Sequence, residues 1–153
     1  MYAAVTPDRV RANTAFEVNQ RIDRQIEESV RYFSGRPASE ILRRIDELER
    51  EWDIERFLEA MASSFSLTGL ALGATKSKAW FMLPVTVLSF LLLHAIQGWC
   101  PPVPVLRRLG MRTRQEIERE RYALKAVMGD FTAVNSGPDR AANALAAVAP
   151  MSS

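Results

Sequence analysis

His94 and Cys100 are the only histidine and the only cysteine in a chain of 153 residues, and they stand six apart in HAIQGWCPPVPVLRRLG. An imidazole and a thiol are the groups from which metal sites and activated nucleophiles are built. Here their number and spacing argue against both uses. Six residues along a helix put two side chains on different faces, two ligands leave a metal site incomplete, and no further Cys or His exists to finish one. An axial haem ligand is equally unsupported, and a hydrogen bond from His94 to a neighbouring helix is the plainer use. No metal and no cofactor are expected. Cys100 is the single alternative catalytic candidate, as a thiolate whose pKa would have to be lowered by Arg107 or Arg108. Its structural reading is a small, partly buried thiol at a helix stop, because Pro101, Pro102 and Pro104 forbid a regular helix from continuing.

What positions this stretch is the run before it. AWFMLPVTVLSFLLLHAI, Ala79 to Ile96, has no charged residue. At 1.5 Å per residue it is about long enough to cross a hydrocarbon core of roughly 30 Å. Its Leu, Ile, Val and Phe residues contribute on the order of −3 to −6 kcal/mol to insertion. Trp80 and Trp99 bracket the run, about 28 Å apart on a straight helix, and are expected to anchor at the two membrane interfaces. Pro84 falls in the first turns, where few helical hydrogen bonds are lost.

The stretch ahead of it, RFLEAMASSFSLTGLALGAT, is weaker, at about −2 to −4 kcal/mol set against Glu59 and several Ser and Thr. Gly69 and Gly73 form a Gly-x-x-x-Gly pair, and with Ala62 and Ser66 they make a stripe of small residues on which another helix backbone can approach closely. The short link ATKSK lets the second span return beside the first. The expectation is therefore an all-α protein built on a two-span transmembrane hairpin over residues 53–110. Arg43, Arg44, Arg50 and Arg56 precede the spans and Arg107, Arg108, Arg112 and Arg114 follow them, against Lys76 and Lys78 in the loop. The positive-inside rule then puts both termini in the cytoplasm. The first residues lack the apolar core of a cleavable signal, so the spans themselves should direct insertion.

The flanks read as amphipathic helices. In residues 1–52, a first helix opens at Thr14 and Glu17, a capping-box spacing, and stops at Gly35 and Pro37, with Ile22, Ile26, Val30 and Phe33 on one face. A second carries Ile41, Ile45, Leu48 and Trp52 as a stripe for a core or a partner, and with no Gly or Pro from Ala38 to Thr68 it is expected to run unbroken into the first span. Residues 111–131 hold a third helix, with Thr113 and Glu116 as its capping box and Ile117, Leu124 and Met128 as a narrow apolar face whose Arg and Glu neighbours should be solvated. Residues 132–153, rich in Ala, Ser and Pro, are expected to be disordered, with at most a transient helix. Nucleic-acid binding is not expected: the charges alternate in sign, and no aromatic residues are interleaved as stacking platforms.

Two short spans ending in GWCPPVPVLRRLG resemble the YgaP-like transmembrane family, small bacterial inner-membrane domains of unknown function. The matching positions are Gly98, Cys100, Pro101, Leu109 and Gly110. DIER, Asp53 to Arg56, takes the place of the acidic and basic pair before the first span. The resemblance implies a bacterial inner membrane. That family is sometimes joined to rhodanese domains, which would imply sulfur-transfer company for Cys100; no such domain is present here. Three functions stay open: a non-catalytic accessory or scaffold subunit docking on other membrane chains or on itself, a thiol or persulfide carrier using Cys100, and a small homo-oligomeric channel. The channel would require Ser63, Ser64, Ser66 and Thr68 to face one axis.

Overall fold

The computed structural model describes residues 8–135 and 139–148, and among them every regular element is helical. Residues 1–7, 136–138 and 149–153, parts of the expected leaderless start and disordered tail, lie outside the described residues. The chain divides into two units, one formed by Met1–Gln20 and Trp52–Arg114, the other by Arg21–Glu51 and Gln115–Ser153.

The first unit holds α1 (Arg9–Ala12), the first residues of α2 (Phe16–Ser34), α4 (Ile54–Thr75), a 3-10 turn at Lys78–Phe81, α5 (Met82–Gln97) and α6 (Val103–Arg108). The helix α4 packs along α5, and the residues at their contacts run in opposite chain directions: Gly69 lies against Pro84, and Gly73 against the ring of Phe81. A Cβ on Gly69 would sit 2.5 Å from the Pro84 ring, and one on Gly73 2.7 Å from Phe81. Glycine is therefore what lets the helices meet there. Ala62 and Ser66 extend the same buried stripe. Two helical stretches, Ala38–Thr75, which includes α4, and Lys78–Gln97, are long and apolar enough to cross a membrane by length and composition.

The second unit is made by most of α2, by α3 (Ala38–Arg50), which precedes α4 in the chain, and by α7 (Arg114–Met128) and α8 (Arg140–Val148). Ile41, Ile45 and Leu48 of α3 form its core with Ile117 and Leu124 of α7, and Val30, Phe33 and Met128 pack against them.

Several expectations are corrected. The second amphipathic helix does not run into the first apolar one: α3 ends at Arg50, Glu51 is extended, and α4 begins afresh at Ile54. No Gly or Pro makes this break. The Asp53 carboxylate accepts the Arg56 amide at 2.7 Å, and the freed Ile54 N–H donates to the Arg112 carbonyl at 3.0 Å, so local capping outcompetes helix continuation. Trp52 consequently leaves the Ile41 stripe and is exposed, with the Arg56 guanidinium 4.5 Å above its ring. Thr14 does not cap α2; its hydroxyl donates to the Val10 carbonyl instead, and α2 starts at Phe16. On α7 the charges are not all solvated, since Glu116, Glu120 and Lys125 are buried. Ser29 and Arg44 donate to the same Glu120 oxygen, and Arg121 pairs with Glu49 at 3.1 Å. Part of the expected disordered tail is helical: Asp139 caps α8 through the Ala142 amide, and an alanine-rich sequence extends it.

Candidate functional site

The chemistry-bearing residues gather in the first unit where α5 ends. Gly98 stops α5 with φ +74°, in the left-handed region, and its N–H closes on the His94 carbonyl at 2.7 Å. A second reason requires glycine: a Cβ there would lie 2.4 to 2.5 Å from Cβ and backbone carbon of Arg9. The α1 segment is thus pressed directly onto the helix exit. Arg9 Nη1 donates to the Ala95 and Ile96 carbonyls at 2.6 and 3.1 Å, and Asn13 Nδ2 to the Gln97 carbonyl at 2.8 Å. These three carbonyls would otherwise end the helix without donors, and the cation also complements the negative end of the helix dipole.

After this cap the chain turns into α6, and Cys100 enters a core with Val10, Ile54, Leu58, Val103 and Leu106. Burial pushes the Cys100 thiol above its ordinary pKa, opposite to what a reactive thiolate needs. The Arg107 guanidinium proposed to activate it is buried and donates to the Met111 carbonyl and to Asn19 Oδ1 at 3.0 and 2.9 Å. His94 Nδ1 is enclosed without a hydrogen-bond partner, so the bond expected to the other apolar helix is not made through that nitrogen. Gly98, Cys100 and Pro101 are brought together at the exit, while Gly110 lies in the turn beyond α6 with open space around it. Trp80 and Trp99 are both exposed, before and after α5.

An acidic clasp closes the other side of this end. Asp8 caps α1 through the Arg11 amide and accepts the Thr113 hydroxyl at 2.6 Å. Asp53, besides capping α4, faces Arg114 at 3.6 Å, and Glu55 accepts the Arg114 amide at 3.3 Å. Arg9, Asn13 and Asp8 carry no signal in the sequence beyond a short polar stretch, because their partners lie about ninety residues away.

Between α4 and α5, beside Cys100, lies an almost wholly apolar cavity of about 290 Å³, walled by Leu58, Ala62 and Phe65 on one side and Thr86, Val87 and Phe90 on the other. The serine and threonine side chains of α4 do not share an axis. Ser64 and Thr68 are exposed and return their hydroxyls to the Ala60 and Ser64 carbonyls, whereas Ser66 is buried in the stripe. Among the described residues no cluster of His, Cys, Asp or Glu is arranged to hold a metal.

No family model, curated protein or solved structure matches the chain.

Proposed function

We propose that this chain is an integral protein of a bacterial inner membrane, crossing it twice through α4 and α5 with both ends cytoplasmic. There it serves as a non-catalytic accessory or scaffold subunit that docks on other membrane chains or on copies of itself. One observation carries the reading. Along α5 only Pro84 is buried, while Met82, Val85, Leu88, Leu92 and Ile96 are exposed, and Phe65, Leu67 and Leu70 are exposed on α4. In water such a surface would be a large apolar patch; in hydrocarbon it costs nothing. The arginine-rich ends against a loop with two lysines support the sidedness. The Gly98, Cys100 and Pro101 pattern supports the link with YgaP-like domains.

The non-catalytic part is supported by where the reactive groups went: Cys100 into a core, Arg107 onto a carbonyl and an amide, and Arg9 onto helix carbonyls. The helix-packing stripe of small residues is used inside the chain against α5, and of the two uses open to the Ile41 stripe, core or partner, Ile41, Ile45 and Leu48 take the first, against α7. Docking then falls to exposed apolar residues outside the spans, among them Phe16, Tyr32, Trp52 and Leu145. Alkaline carbonate extraction tests the membrane part: the chain stays in the pellet and needs detergent for release, and recovery in the soluble fraction overturns it. Purification in mild detergent tests the docking part, which a solitary monomer would sink.

A further inference from the structure

The cavity between α4 and α5 has a shape that the packing of the pair does not explain. Toward the loop the helices close through Gly69 and Gly73 onto Pro84 and Phe81. Toward the exit a space of about 290 Å³ remains between them, lined by Leu58, Ala62, Phe65, Val87, Phe90 and Cys100, with no charged residue in the wall. If α4 and α5 lie in a bilayer, such a space is filled by whatever apolar matter has access. A helix of a second chain, at about 10–12 Å across with side chains, is too thick to enter between two packed helices. A single file of methylenes is not. The same end of the pair carries Arg56 in the first turn of α4, exposed and stacked on the Trp52 ring, and a bilayer would set its phosphates at that level.

We propose that this cavity is a binding site for one acyl chain of a phospholipid from the leaflet on the arginine-rich side, held between α4 and α5 with Cys100 in its wall. This rests on the membrane reading above. It assigns the Cys-Pro-Pro exit a role that is neither redox nor catalytic: Cys100, Pro101 and Pro102 form part of the pocket wall where the chain leaves α5.

The test uses the full chain in vesicles of phosphatidylethanolamine and phosphatidylglycerol containing a phosphatidylglycerol with a diazirine on its acyl chain. After illumination, labelled residues are mapped by mass spectrometry. Labelling is expected on the pocket peptides around Leu58 to Ala62 and Cys100 to Pro102, and also at Met82 and Leu92 on the outer surface of α5. Ala62→Phe and Val87→Phe, which fill the pocket from opposite walls, are expected to abolish pocket labelling and leave Met82 and Leu92 labelled, which also shows that the hairpin still inserts. Pocket residues that stay unlabelled while Met82 and Leu92 are labelled would overturn the site alone, as would pocket labelling undiminished in both filled variants. Absence of label at all four places would overturn the membrane reading and the site with it.

Discussion

In the unit built on α4 and α5, the two helices meet on Ala62, Ser66, Gly69 and Gly73, and apart from Ile54 and Leu58, which join the small core around Cys100, most large side chains face outward. In the unit built on α3 and α7 the arrangement is reversed, with Ile41, Ile45, Leu48, Ile117 and Leu124 inside and most arginines outside. Both are pairs of helices in one chain. Away from the small core around Cys100, the first gains little from hiding apolar surface and is held by close backbone approach and capped carbonyls, which suits a hydrocarbon surrounding. The second is held by the hydrophobic effect and by ion pairs, which suits water. The contrast predicts that each unit breaks by a different kind of substitution.

The largest effect is expected at Gly98. Alanine there carries about 1–2 kcal/mol for the left-handed backbone, and forcing its Cβ into Arg9 adds on the order of 1–3 kcal/mol. The α1 cap should come off α5, exposing the Ala95, Ile96 and Gln97 carbonyls. Hydrogen exchange in micelles should show faster exchange in α1 and the exit turn, with exchange in α3 and α7 unchanged.

The matching break in the other unit is Arg44→Met. It removes one donor to buried Glu120, and because Arg44 is itself about a quarter exposed the cost should fall to about 2 kcal/mol, below the 3–5 kcal/mol of a sealed pair. Exchange should now rise in α3 and α7 and stay unchanged at Gly69 to Pro84. Loss of protection in both units with either variant would mean that they are not separately stabilised.

Much of this was legible in the sequence. The apolar helices, the small-residue stripe and the Ile41, Ile45 and Leu48 face follow from periodicity, which records local geometry. What was not legible depends on distant partners. The break at Asp53 needs the Arg112 carbonyl to receive the Ile54 amide, and without it a continuous helix is the better reading. Burial of Glu120 depends on Ser29 and Arg44 converging from two other helices. The cap on α5 is supplied by residues near the other end of the chain. Cys100, the residue most suggestive of chemistry, could be placed in a core only once α1 and α6 were seen to surround it.

The two glycines of the stripe separate close packing from mere smallness. At Gly69 an added Cβ meets the Pro84 ring, which cannot turn away, whereas at Gly73 it meets the Phe81 ring, which can rotate. Replacement of glycine by alanine within a helix gains about 1 kcal/mol of propensity in either place. Gly73→Ala is therefore expected to be nearly neutral, and Gly69→Ala to cost about 1 kcal/mol net, an overlap of about 2 kcal/mol less that gain. Unfolding in mixed micelles, followed by helical circular dichroism, checks the order; equal effects would mean that the helix pair slides to relieve both.

The smallest effect is expected at Glu55, in the first turn of α4, whose carboxylate accepts the Arg114 amide at 3.3 Å. Glu55→Gln keeps an acceptor for that amide, so it should change the stability of the clasp by less than about 1 kcal/mol. Exchange at the Ile54 and Arg114 amides checks this: near-equal rates in the two chains are expected, and a large loss of protection in the variant would mean that the charge of Glu55, and not its acceptor geometry, holds the clasp.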